Sequence, residues 1–256
     1  MTRYKLTVEY DGSGFHGWQR QANAVSVQQV LEEAIKNFSS EDVSLQVAGR
    51  TDAGVHARAN VAHFDLRKDT TGDVVRDALN FYVRPHRVAV ISAEQVADDF
   101  HARFQAEGRS YRYLIVNRRP PLALMANHAW HVIKPLDIVP MQEAARRILG
   151  KHDFSTFRAQ GCQAPSPVKT LDKLGILRDG ENITFDVGAR SFLYHQVRNM
   201  VGTLTMVGTG QWSVADFQAA FEARNRPAGG PTAPPQGLIF WGVTYPHDSQ
   251  PLQIKD

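Results

Sequence analysis

Stretches in which apolar and polar residues alternate are separated by stretches with a helical period, and this restricts the chain to helices packed on sheets. Residues 3–10, RYKLTVEY, alternate as a strand. Residues 27–38 carry a helical period, with Ser26 and Gln29 placed to form a capping box. Strands at about 43–48 and 59–66, a helix at 73–82 and a strand at 87–96 follow. The order β-α-β-β-α-β predicts the split βαβ arrangement of a ferredoxin-like fold. The remainder nearly repeats it. Strands are expected at 109–117, 127–133, 168–178, 182–190 and 238–245. Asp179-Gly180 supplies a two-residue hairpin turn between the third and fourth of these. Helices are expected at 138–149, entered at Asp137 and closed by Gly150, at 191–208, and at 213–224 behind Ser213 and Asp216. The reading is an α+β chain of two ferredoxin-like halves, 1–105 and 106–246, whose antiparallel sheets meet around a central cleft. Residues 226–237, with four prolines and three glycines, read as an ordered loop or linker, and the tail 247–256 as loose.

Composition narrows the function classes. The 256 residues, 43% hydrophobic and 21% charged, describe a globular chain able to bury a sizeable core. No apolar run approaches the roughly 20 residues of a bilayer span, and the N-terminus lacks a signal-peptide apolar region, so the expectation is a cytoplasmic protein with no membrane partner. One cysteine, Cys162, excludes an internal disulfide and a cysteine-rich zinc site. A net charge of +3 permits a nucleic-acid partner without demanding one. Basic and aromatic residues interleave in FHARF (100–104) and RSYRYLIVNRR (109–119). That mixture suits RNA, whose phosphates attract cations and whose unstacked bases attract rings, and equally suits edge strands with solvated arginines.

Two glycine-bearing segments compete for attention. Gly12-Ser-Gly-Phe-His-Gly17 fits G-x-G-x-x-G after a strand, but the next helix starts only near Ser26, and Glu32 and Glu33 fall inside it. A dinucleotide site needs the helix to begin at the glycines, so no nucleotide cofactor is expected, and the segment reads as a flexible loop beside the cleft. The second segment, Gly49-Arg-Thr-Asp-Ala-Gly-Val-His-Ala-Arg58, joins two predicted strands. It sets one carboxylate, Asp52, among Arg50, His56 and Arg58. Nearby cations favour an ionised carboxylate, which can act as a nucleophile or a base. An aspartate that merely caps a turn gives the same pattern, and residue types alone favour that simpler reading. His56, His63 and His101 lack metal-ligand spacing, so no metal is expected. His152-Asp153 has no serine or cysteine motif beside it.

The segment GRTDAGVHA resembles the catalytic loop of the tRNA pseudouridine synthase A family. EYDGSGFHGWQ (9–19), FHARF, YRY (111–113), HDFSTF (152–157), FLYHQVRNMVGTL (192–204) and PTAPPQGL (231–238) resemble further family motifs in the same order, over nearly the whole chain. One departure is Lys169 in SPVKT, where the family more often has arginine; the charge is kept. The resemblance implies isomerisation of uridine to pseudouridine at positions 38, 39 and 40 of the tRNA anticodon arm. It implies no cofactor and a homodimer in which one tRNA touches both subunits. Asp52 matches the catalytic aspartate and Tyr111 the tyrosine that packs on the target uracil. Arg58, with Arg50 and His56 of the same loop, would contact the substrate. Arg198, in the VRN motif, would approach Asp52 as an ion-pair partner, with His195 on the same helix face, where a packing role suits it better. Phe15, His16 and Trp18 lie in a loop that contacts RNA in this family.

The implied reaction breaks the bond from ribose C1′ to uracil N1 and rejoins C1′ to C5 without redox change. Asp52 can attack C1′, attack C6 or remove the C2′ proton, and the sequence leaves the three routes open. A non-catalytic RNA-binding module on the same fold and a synthase acting on another RNA are the alternatives.

Overall fold

The computed structural model describes residues 1–246, so the expectation of a loose tail at 247–256 lies outside the described residues. The strands are β1 Thr2–Tyr10, β2 Gln46–Val47, β3 His56–Leu66, β4 Val88–Val96, β5 Gly108–Asn117, β6 Trp130–Val132, β7 Gly150–Asp153, β8 Val168–Asp179, β9 Asn182–Ala189 and β10 Leu238–Thr244. The helices are α1 Val27–Ser39, α2 Gly72–Tyr82, α3 Ile138–Arg146, α4 Gln196–Gly208 and α5 Val214–Glu222. The chain is α+β and divides into two compact units, one of Met1–Arg109 with the segment from Phe240 onward, the other of Ser110–Ile239.

In the first unit β1 lies between β4 and β3, and β2 pairs with β3, all antiparallel. This is the split βαβ arrangement expected from the element order. Alternation on β1 sends Tyr4, Leu6, Val8 and Tyr10 into the core. Opposite them α1 offers Val27, Val30, Leu31, Ala34 and Ile35 at helical spacing, and α2 offers Val75 and Leu79. Each fully buried leucine, isoleucine or valine contributes about 1.5–3 kcal/mol relative to exposure, so this face supplies much of the unit's stability. Ser26 caps α1 by accepting from the Gln29 amide at 3.2 Å. Gln29 itself donates to Glu33, so only half of the expected capping box forms.

In the second unit the strand order is β5-β9-β8-β7, with β6 parallel to β5 through Ile115 and Trp130. A cluster of Phe154, Phe157, Phe217 and Phe221 joins α5 to the segment after β7. The capping box expected at Ser213 and Asp216 forms in full. Residues 226–237 are an ordered strap: Gly230 donates to Thr203 Oγ1 at 3.0 Å, Ala233 donates to Arg198 O at 3.1 Å, and Tyr113 donates its hydroxyl to Pro234 O at 2.8 Å.

Several boundaries differ from expectation. The helix expected to reach residue 149 ends at Arg146, and Gly150, at φ +94°, opens β7 rather than closing the helix. Four residues of strand at 150–153 are too short to leave a period in the sequence. The β8–β9 turn is Gly180-Glu181, because Asp179 already pairs with Asn182. The helix expected from residue 191 starts at Gln196, behind His195 in the left-handed region at φ 59°.

Candidate active site

The segment that carries Asp52 is a tight turn held by its neighbours within the first unit. Val55 donates to Asp52 O at 3.1 Å, closing a turn whose third residue, Gly54, sits at φ +76°. Only glycine takes that position without strain. Asp52 is half-buried, Arg50 is exposed, and Arg58 is half-buried on β3. The Arg58 guanidinium lies 4.4 Å from the ring centroid of Trp241 on β10, a cation–π contact that fixes its plane. Sequence reasoning missed Trp241, because more than 180 residues separate the two and no local pattern links them.

The glycine-bearing N-terminal segment clasps this turn. Trp18 donates its backbone N–H to Thr51 O at 3.0 Å, and Gly54 donates to Phe15 O at 3.3 Å. Gly17, at φ +91°, packs so closely that a Cβ would stand 2.7 Å from Thr51 O. Phe15 and Trp18, expected to contact RNA, are only 6% and 1% exposed. Their rings face inward, Phe15 toward His86 and Trp18 onto Tyr10, so of the three named residues only His16 presents its side chain to solvent. The segment is therefore a packed buttress and not the flexible loop its glycines suggested. Glu32, which a dinucleotide site would place after a second strand, lies in α1 and accepts from the Leu45 amide at 3.1 Å.

His56 is buried at the start of β3, with Nδ1 3.0 Å from the Gly12 amide that donates to it. Asp11 Oδ1 lies 3.2 Å from the same nitrogen. Asp11 also accepts from the Ser13 hydroxyl at 2.6 Å and from Arg87 at 2.8 Å. Burial opposes its charge, but the Ser13 hydroxyl and amide and Arg87 outweigh it and hold the carboxyl well below the usual range. These two side chains thus anchor the buttress from beneath.

A second polar set lies under the turn. Asn60, fully buried on β3, donates to Gly49 O at 2.9 Å and to the Tyr10 hydroxyl at 3.3 Å. The Tyr10 hydroxyl lies 2.8 Å from Thr51 Oγ1. A polar residue at a core-facing strand position was the available signal for Asn60.

In the second unit Tyr111 is half-buried on β5, edge-on to Phe192 at 5.1 Å. Arg198 on α4 donates from Nε to Ala233 O at 2.8 Å. The strap at 231–237 therefore ties Arg198 and, through Tyr113, the strand of Tyr111 to adjoining carbonyls. His195 is the N-cap of α4 and lies against Tyr194 with centroids 3.9 Å apart, so it does not share a helical face with Arg198 as expected.

The turn thus presents one half-buried carboxylate, Asp52, between Arg50 and Arg58 on a split βαβ scaffold. A family model for tRNA pseudouridine synthase matches residues 6–105 and 144–246. The chain is 58% identical over 245 residues to the tRNA pseudouridine synthase A of Paramagnetospirillum magneticum, covering 96% of each chain. It is likewise 58% identical to that of Rhodospirillum centenum, covering 96% of this chain and 100% of the other. With the protein of that name from Zymomonas mobilis the identity is 52%, again over 96% and 100%. The chain belongs to the tRNA pseudouridine synthase family. No helix among the described residues is long and apolar enough to cross a membrane.

Proposed function

We propose that this chain isomerises uridine to pseudouridine in tRNA, at positions 38, 39 and 40 of the anticodon arm, with Asp52 as the catalytic carboxylate. What carries the reading is the clasped turn at Asp52 in a chain of this family: a half-buried carboxylate on a backbone pinned at Thr51, Asp52, Gly54 and Val55. A rigidly placed group loses little freedom when substrate arrives, which is where positioning lowers a barrier.

The target uridine must leave its stack, at a cost of a few kcal/mol. Stacking on an aromatic ring returns about 1–3 kcal/mol per base, the role assigned to Tyr111. Arg50 and Arg58 supply positive charge for the flanking phosphates, and Arg198 is the proposed ion-pair partner of Asp52. Action on three neighbouring sites fits recognition of backbone and shape rather than of base edges. One tRNA engages a homodimer in this reading. The leaving uracil is also the acceptor of the new bond, so one carboxylate suffices where a glycosidase needs a second to handle water.

Uracil C5 must lose its hydrogen on becoming the glycosidic carbon. Tritium at C5 of an unmodified tRNA transcript should therefore be released to water by the wild-type protein. Asp52→Ala should bind the same tRNA and lose turnover by about 10³-fold or more, the scale on which loss of a reacting group is felt. Release by Asp52→Ala at the wild-type rate would remove Asp52 from the chemistry. Binding without release by either protein would leave a non-catalytic RNA-binding module.

A further inference from the structure

We propose that Tyr10 and Asn60 are positioning residues that latch the turn carrying Asp52, acting through Thr51 and Gly49. The inference rests on the reading that Asp52 performs the chemistry. The Asn60 side-chain amide spends one hydrogen on Gly49 O at 2.9 Å and directs the other at the Tyr10 oxygen at 3.3 Å. Its own oxygen accepts from the Val61 amide at 3.0 Å. The Tyr10 hydroxyl is hydrogen-bonded to Thr51 Oγ1 at 2.8 Å, and either group can donate. Burial pushes the Tyr10 hydroxyl up to about 12, against the hydrogen bonds from Thr51 and Asn60, so it keeps its proton throughout the working range.

All three side chains are buried, Asn60 completely. Buried hydrogen bonds of this kind are expensive to break, because each partner left behind is stripped of water. The latch grips residues 49 and 51, on the N-terminal side of Asp52, while the turn to Val55 grips the other side. Asp52 is thus spanned by fixed points, and Tyr10 stands at the end of β1, whose neighbours on both sides hold it in register.

The test pairs Tyr10→Phe with Thr51→Val, each of which removes a hydroxyl and keeps the bulk. Each should lower kcat about tenfold with KM for tRNA unchanged, and the double variant should be no worse than Tyr10→Phe alone, because Tyr10→Phe already removes the bond that Thr51→Val removes. Thr51→Ser keeps the hydroxyl and should restore kcat. Backbone amide exchange at Trp18 and Val55, whose N–H groups bond Thr51 O and Asp52 O, should accelerate in Tyr10→Phe. Lower stability with wild-type kcat per folded molecule and unchanged exchange would overturn the latch. If the wild-type protein releases no tritium from tRNA, the functional reading fails instead, and the exchange rates alone still decide whether Tyr10 holds the turn.

Discussion

Replacing Gly17 by alanine tests whether the N-terminal buttress sets the position of Asp52. Two costs arise. At φ +91° a residue with a Cβ pays about 1–2 kcal/mol for the left-handed backbone. The new Cβ would also stand 2.7 Å from Thr51 O, 3.1 Å from Asp52 C and 3.2 Å from Ala53 N, all backbone atoms that cannot rotate away. Relief requires that the turn or the buttress shift by several tenths of an ångström, breaking or stretching the Trp18 to Thr51 bond at a further cost of about 1 kcal/mol. The expected destabilisation of about 2–3 kcal/mol corresponds to a fall in Tm of roughly 5–10 °C for a chain of this size. Displacement of the reacting carboxylate by up to 1 Å should lower kcat by as much as about 10²-fold. Tritium release and thermal unfolding measure the two quantities. Gly14→Ala is the control in the same segment: nothing lies within 4 Å of its Cβ, and neither quantity should change appreciably. A Gly17→Ala protein with lowered Tm but wild-type kcat would refute the claim that buttress and turn move together.

Stability should also fall in weak acid because of His63. Burial first, then the His101 and Arg3 charges, lower its pKa to about 4 against the partly opposing Asp65. The unfolded chain therefore binds a proton near 6.5 that the folded chain refuses, and stability is lost as pH falls from about 6.5 to about 4. The shift corresponds to at most about 3 kcal/mol. His63→Asn, whose amide oxygen can take the Ala102 N–H that Nδ1 now accepts at 3.2 Å, should flatten the unfolding profile over this range, and an unchanged profile would clear His63. Trp241→Leu removes the ring under Arg58 and should raise KM for tRNA about three- to fivefold with a smaller effect on kcat, the equivalent of a cation–π contact of about 1 kcal/mol. An unaltered KM would detach Arg58 from substrate. Ser213→Ala removes the hydroxyl half of the α5 capping box, while the backbone N–H at 213 still donates to Asp216, and should cost about 1 kcal/mol in denaturant unfolding while leaving turnover intact.

What the sequence disclosed and what it hid divide along physical lines. Long periodic elements were legible: β1, α1, α2 and β8 lie where alternation and helical spacing put them, because each buries one face and the pattern records which. Short elements were less so: β2 occupies only Gln46–Val47 of the strand expected at 43–48, and β7, too brief for a period, was missed because it owes its place to pairing with β8. The α3 end was misjudged because a left-handed glycine serves the start of a strand as well as the end of a helix. The candidate site shows the same split. Arg50, Asp52 and Arg58 stand out in one local segment, whereas the groups that hold it, Tyr10, Gly17, Asn60 and Trp241, come from β1, a loop, further along β3, and β10. The glycines between residues 12 and 17 suggested a flexible loop, yet they permit close packing, and Phe15 and Trp18 fill the space that packing encloses. The residue types of the loop left a turn-capping aspartate as the simpler reading, while its rigidity resides in contacts that the chain makes only once folded, and rigidity is what the proposed catalytic role of Asp52 requires.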